Sequence, residues 1–154
     1  ITNVPEMEAS KALITRVYNE LVEEGYKVKM PPVGAMIEVP AAVYQARELA
    51  ALSDFLSIGS NDLTQYLLAV DRNNARVADL YQAFHPAVLR ALQQVVQAAH
   101  AEGISVSICG ELAGDPGAAI LLMAMGCATL AMGATNVPKV KSVIRGSSFV
   151  LAKH

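Results

Sequence analysis

The sequence predicts an α/β fold built from parallel (β/α) units, and three observations carry that prediction. Short, nearly all-apolar runs alternate four times with helix-forming stretches. The connections between them are short. Glu38, Asn61, Asp62, Cys109 and Glu111 all fall where the apolar runs end, at the carboxyl ends of the expected strands. Doubly wound sheets and (β/α) barrels both place their ligands there. The pattern alone fits either.

The chain opens with a helix. Pro5-Glu6-Met7-Glu8 puts acids in a first turn, as the helix dipole favours. Ala12, Leu13, Val17, Leu21 and Val22 recur at helical spacing as one apolar face, and Gly25 stops the helix. Residues 27–32 are a connector, and 33–39 (VGAMIEV) read as a short strand with one acid, Glu38. Pro40 opens an alanine-rich helix over 41–52, and 54–60 form the next strand. Helices are expected over 62–70 and 76–83, broken by Asp71-Arg72-Asn73-Asn74. Pro86 opens a long helix to about Glu102, ended by Gly103, and 104–109 form a strand into Cys109-Gly110-Glu111. Asp115-Pro116-Gly117 starts a helix that stops at Gly126, 129–133 is the last strand, and 136–145 the last helix. Residues 146–154 read as a frayed tail.

Composition narrows the class. A chain of 154 residues suits one domain with a sizeable core. A formal net charge of −2 leaves no basic footprint for nucleic acid. No charged-then-apolar leader and no apolar run of bilayer length is present, so no membrane span is expected. Cys109 and Cys127 form no CxxC pair and read as reduced thiols of a cytoplasmic protein. With 53% apolar and only 17% charged residues, the chain either packs both faces of a parallel sheet or buries surface against a partner.

The richest stretch is DFLSIGSNDLTQYLLAVDR, residues 54–72. A strand runs into Gly59-Ser60-Asn61-Asp62 and a helix follows at once. Gly59 lets the backbone approach a ligand, and the first N–H groups of the helix face an anion. The competing reading is a helix merely capped by Asn or Asp. Glu38 and Asp62, on neighbouring strand ends about 5 Å apart in strand spacing, can share a divalent cation, or Glu38 is a solvated strand-end acid. Magnesium takes one or two carboxylates plus waters and substrate oxygens, and no His-rich set favours zinc. Arg72 can hold a phosphate or carboxylate bidentately, or pair with Asp71 on the surface. Cys109 is a buried inert thiol or a proton donor facing the same cavity. His85 and His100 read as capping or surface residues, Cys127 as packing.

The segments GAMIEVPAA (34–42), DFLSIGSNDLTQYLLAVDRNN (54–74), HPAVLR (85–90), CGELAGDP (109–116) and MGCATLAMGATNVPKVKSVIR (125–145) closely resemble the phosphoenolpyruvate–protein phosphotransferases, the enzyme I family of the bacterial phosphotransferase system. Pyruvate phosphate dikinase and phosphoenolpyruvate synthase share the IGSNDLTQ element, but QYLLAVDRNN and LYQAFHPAVLR look more like enzyme I. The resemblance implies a phosphoenolpyruvate-binding (β/α)8 barrel, of which residues 1–145 are the carboxy-terminal half. It implies that Glu38 and Asp62 bind Mg2+. Asn61 and the Gly59-Ser60 backbone would hold phosphate or carboxylate, Arg72 would clamp the phosphoryl group, and Cys109 would protonate the enolate of pyruvate. The implied partners are phosphoenolpyruvate or pyruvate, and a phosphocarrier protein reached through a separate histidine-bearing domain. Ser60 and Asn73 stand where the family usually has Thr and Gly. Only four of eight strands are expected, so the inward strand faces are expected to be apolar and wet, and the open edges to drive self-association. Two such halves could close an eight-stranded ring.

Overall fold

The computed structural model describes residues 1–147. Four strands form one parallel sheet in sequential order: β1 (Ala35–Ile37), β2 (Phe55–Gly59), β3 (Ser105–Cys109) and β4 (Thr129–Ala131). Sequential order with helical crossovers is the wrapping of a barrel wall rather than of a doubly wound sheet, whose order reverses at a switch point. The register sets Ile37 beside Ile58, Gly59 beside Cys109, and Cys109 beside Ala131. Three strand ends therefore lie level at one rim.

The helices cover one face. That face buries Ala35, Ile37, Leu56, Ile58, Val106 and Ile108. Helix α5 (Pro86–Ala101) lays Val88, Ala91, Leu92, Val95, Val96 and Ala99 against them, at the i, i+3, i+4 spacing of an apolar stripe. Burying one such aliphatic side chain is worth roughly 1.5–3 kcal/mol, so this layer supplies most of the driving force. His85 caps α5 by accepting the Ala87 N–H at Nδ1, 3.1 Å away. Asp115 caps α6 (Pro116–Met125) by accepting the Ala118 N–H at 2.8 Å. Helix α7 (Val137–Gly146) closes the described chain and takes in Gly146. The rest of the tail expected over 146–154, from 148 onward, lies outside the described residues.

Three expectations are corrected, and one apolar helix face is exposed. The inward face is not apolar. It carries Met36, Ser57, Ser107 and Thr129 in one registered row, with Phe55 and Ser105 below and Gly59, Cys109 and Ala131 above. The apolar residues of these strands go to the helices, and small or hydroxyl side chains are left inside.

The apolar face of α1 (Val4–Glu23) lies open, with Leu13, Val17 and Val22 exposed by 52%, 43% and 47%. Only Met7 is buried, because the helix meets the core through its first turns alone.

The helix expected over 41–52 is two, α2 (Pro40–Tyr44) and α3 (Ala46–Ala51). They break at Gln45, whose side chain bonds the Ala41 carbonyl at 3.2 Å and the Thr2 carbonyl at 3.4 Å, tying the start of α1 to this layer.

The helix expected over 76–83 shrinks to a 3-10 turn at Ala78–Leu80. Asp71 and Asn74 accept the Asn73 and Arg76 N–H groups, turn-forming bonds that compete with a helix.

Among the described residues no helix is long and apolar enough to cross a membrane.

Candidate active site

The site is assembled at the level rim. Glu38 follows β1 and sits beside Gly59, the last residue of β2. A Cβ on Gly59 would lie 2.9 Å from Glu38 Cβ and 3.0 Å from its Oε2, so glycine is what lets this carboxylate lie against the strand end. Helix α4 (Ser60–Leu68) begins immediately. Asp62 therefore stands in the first helical turn, just past the end of β2, and its charge favours that position.

The β2 and β3 rims are bonded to each other. Ser60 Oγ donates to the Cys109 carbonyl at 2.7 Å. Asn61 Oδ1 accepts the Glu111 N–H at 3.0 Å. Gly110 lies between them at φ +110°, a conformation that favours glycine, and a Cβ there would lie 2.8 Å from Asn61 Oδ1 and collide with Ser60 Oγ. The Asn61 amide oxygen is thus used by the protein, and its two N–H donors remain for a ligand. The Cys109 thiol sits 3.5 Å from the Ile58 carbonyl and is half-buried.

Arg72 arrives from the turn after α4. Its Nη2 lies 3.7 Å from Asp62 Oδ1, not paired with Asp71, and both side chains keep partial exposure. Among the described residues its Nη1 is buried without a hydrogen-bond partner. Such a nitrogen has an N–H donor free to take a ligand oxygen as partner.

Met36, Glu38, Gly59, Ser60, Asn61, Asp62, Arg72, Cys109 and Gly110 line one cleft of about 120 Å³. Every site residue expected from the sequence is in it. A wider hollow of about 450 Å³ adjoins it, sharing Asn61 and Arg72 and adding Asn73, Ala78, Tyr81 and Glu111.

Gly110, in the cleft, and Tyr81, in the adjoining hollow, were not singled out as site residues by the sequence. The Tyr81 hydroxyl donates to the Asn61 carbonyl at 3.3 Å, and no local pattern announces a bond across 20 residues. Gly110 was legible only as a turn.

His100 bonds the Gly126 carbonyl at 3.1 Å, away from the rim. Cys127 is buried, and desolvation pushes its thiol up to about 11. It is packing, as expected.

Among the described residues no group of three or more His, Cys, Asp or Glu side chains gathers as a metal cage. Two carboxylates on one cleft fit the magnesium mode, in which water and substrate oxygens complete the shell.

Residues 1–149 match the family described as PEP-utilising enzyme, PEP-binding domain. The chain belongs to that family. It is 47% identical over 154 residues to a phosphoenolpyruvate-protein phosphotransferase of Haemophilus influenzae, covering 99% of this chain and 27% of the relative. It is 43% identical over 150 residues to a protein of Salmonella typhimurium named for the phosphoenolpyruvate-dependent phosphotransferase system, covering 97% of this chain and 20% of the relative. The chain thus spans between a fifth and just over a quarter of these relatives' length.

Among solved structures it resembles a citrate lyase of Burkholderia xenovorans, with TM-score 0.65 and 19% identity over 93% of this chain and 46% of that one. It also resembles an HpcH/HpaI aldolase of Desulfitobacterium hafniense, with TM-score 0.51 and 21% identity over 75% of this chain and 42% of that one. Likeness at this identity establishes the fold alone. Both neighbours have TIM-barrel-type folds, and each is matched over less than half its length, which agrees with half a barrel wall.

Proposed function

We propose that this cleft binds phosphoenolpyruvate with Mg2+ and serves phosphoryl transfer from it to a protein histidine, and onward to a phosphocarrier protein. Residues 1–145 are then the carboxy-terminal half of the barrel. The observation that carries the reading is the convergence of Glu38, Asn61, Asp62, Arg72 and Cys109 on one cleft of about 120 Å³.

Glu38 and Asp62 would hold the metal. A magnesium ion there supplies positive charge against the phosphoryl oxygens during transfer. Asn61 donates its amide N–H groups to the phosphate or carboxylate. The Gly59-Ser60 backbone, opening α4, offers further N–H donors with the helix dipole behind them. Arg72 places its guanidinium on the phosphoryl group, giving the buried Nη1 a partner.

When the bond from phosphorus to the enol oxygen breaks, the acceptor nitrogen takes the phosphoryl group and the enolate of pyruvate remains. Cys109 gives its thiol proton to the methylene carbon, and pyruvate leaves. In this structure the thiol lines the cleft with its sulfur 3.5 Å from the Ile58 carbonyl.

The sheet edges at β1 and β4 are open among the described residues. A second copy of the chain can pair with them. The row Met36, Ser57, Ser107 and Thr129 would leave a two-copy ring underfilled, since barrel interiors are packed with bulky side chains. Light scattering on these 154 residues alone should therefore show concentration-dependent association rather than a tight dimer.

Cys109→Ala in the intact protein tests the chemistry. Turnover of phosphoenolpyruvate to pyruvate should fall about 10²–10⁴-fold, the range for a lost proton donor, with phosphoenolpyruvate affinity unchanged. Normal turnover would reduce Cys109 to packing.

A further inference from the structure

The cleft needs Arg72 in one place, yet Arg72 lies on an irregular turn. Helix α4 ends at Leu68, and Ala69 takes a left-handed conformation at φ 53°. The chain then runs through exposed Asp71 and Asn73, where turns and polar side chains supply little packing. A guanidinium on such a segment is mobile unless something fixes its backbone.

That anchor is Gln65. Its side-chain Oε1 accepts the Arg72 N–H at 3.3 Å. Its own carbonyl accepts the Val70 N–H at 3.0 Å. Val70 is buried at 6% exposure, so the turn is pinned on both sides of Asp71. Gln65 follows Asp62 by three residues on α4, which places the two on one helix face. One rigid helix therefore carries the Asp62 carboxylate and, through the Gln65 amide, sets the backbone of the arginine that lies 3.7 Å from it. Gln65 is absent from the lining of the cleft and reaches the ligand only through Arg72.

We propose that Gln65 is a positioning residue for phosphoryl recognition: its amide oxygen fixes the turn that aims the Arg72 guanidinium into the cleft. The inference rests on the reading of Arg72 as the phosphoryl clamp, and the experiment separates the two.

Three variants of the intact protein are compared: Gln65→Met, which keeps length and loses the acceptor; Gln65→Glu, which keeps an acceptor oxygen; and Arg72→Ala. Two quantities are read, phosphoenolpyruvate affinity in the presence of Mg2+ and hydrogen exchange at the Arg72 amide. Gln65→Met should weaken binding about tenfold, the scale of one lost hydrogen bond, and speed exchange at the Arg72 amide. Gln65→Glu should restore both, because it keeps the acceptor oxygen that fixes the Arg72 backbone. Gln65→Met combined with Arg72→Ala should bind no worse than Arg72→Ala alone, because the two act through one guanidinium.

If Arg72→Ala weakens binding while Gln65→Met does not, or if the double variant is additive, the positioning role is overturned and the clamp stands. Unchanged exchange at the Arg72 amide in Gln65→Met also overturns it. If Arg72→Ala leaves affinity intact, the clamp itself is wrong and the positioning role falls with it.

Discussion

Replacing Gly110 by alanine should cost this fold far more than a surface loop substitution, and the structure sets the size. Gly110 sits at φ +110°, and a Cβ there would lie 2.8 Å from Asn61 Oδ1 and closer still to Ser60 Oγ. A backbone conformation disfavoured for L residues costs about 1–3 kcal/mol. Relieving the collision also breaks the Ser60 bond to the Cys109 carbonyl or the Glu111 bond to Asn61, each worth about 1 kcal/mol net. The sum is about 2–5 kcal/mol.

At roughly 2–4 °C per kcal/mol for a chain of this size, the melting temperature should fall by about 4–20 °C. Gly103→Ala is the internal control. It also has positive φ, +72°, with nothing within 4 Å of its Cβ, so it carries backbone strain without the collision. Thermal melts followed by circular dichroism, with each variant beside the parent, read the difference. If Gly110→Ala melts no lower than Gly103→Ala, the tight seam between the β2 and β3 rims is not as described.

Two other outcomes follow from the core. Leu92→Ala removes a fully buried side chain from the centre of α5 and should destabilise by about 2–5 kcal/mol, read by denaturant titration as a lower midpoint with unchanged slope. Cys127 has its thiol raised from 9.0 to about 11 by desolvation, so the folded state holds a proton that the unfolded state releases first. That contribution is full below pH 9 and is lost as pH rises toward 11, so the parent should lose stability across this window and Cys127→Ala should lose less. Equal pH slopes for the two would show that the thiol is not buried.

The fold was legible because each (β/α) unit carries its own signal. Apolar runs such as FLSI and SVSIC end in glycine turns, and helices such as 86–101 keep a strict apolar stripe. The alternation could not choose between open sheet and barrel, because that choice lies in which strands are neighbours. The site was legible as a set of residue types at strand ends, and Glu38, Asn61, Asp62, Arg72 and Cys109 do meet.

What sequence could not show was which face of a three-residue or five-residue strand turns inward. Ser57, Ser107 and Thr129 stand in one registered row on the sheet face away from the helices. Contacts that bridge a helix end were equally silent. The Gln65 bond to Arg72 and the Tyr81 bond to Asn61 depend on turns whose shape is set by polar side chains rather than by periodicity.

The most direct test of the account is whether metal and phosphate meet at Glu38 and Asp62. Phosphorus NMR of phosphoenolpyruvate, with Mn2+ as a paramagnetic stand-in for Mg2+, reads that meeting as broadening of the phosphate resonance beyond that produced by Mn2+ without protein. The intact protein should produce this added broadening, and the Glu38→Gln/Asp62→Asn double variant should lose most of it. Equal broadening by parent and double variant would contradict the assignment of this cleft as the metal and phosphoenolpyruvate site.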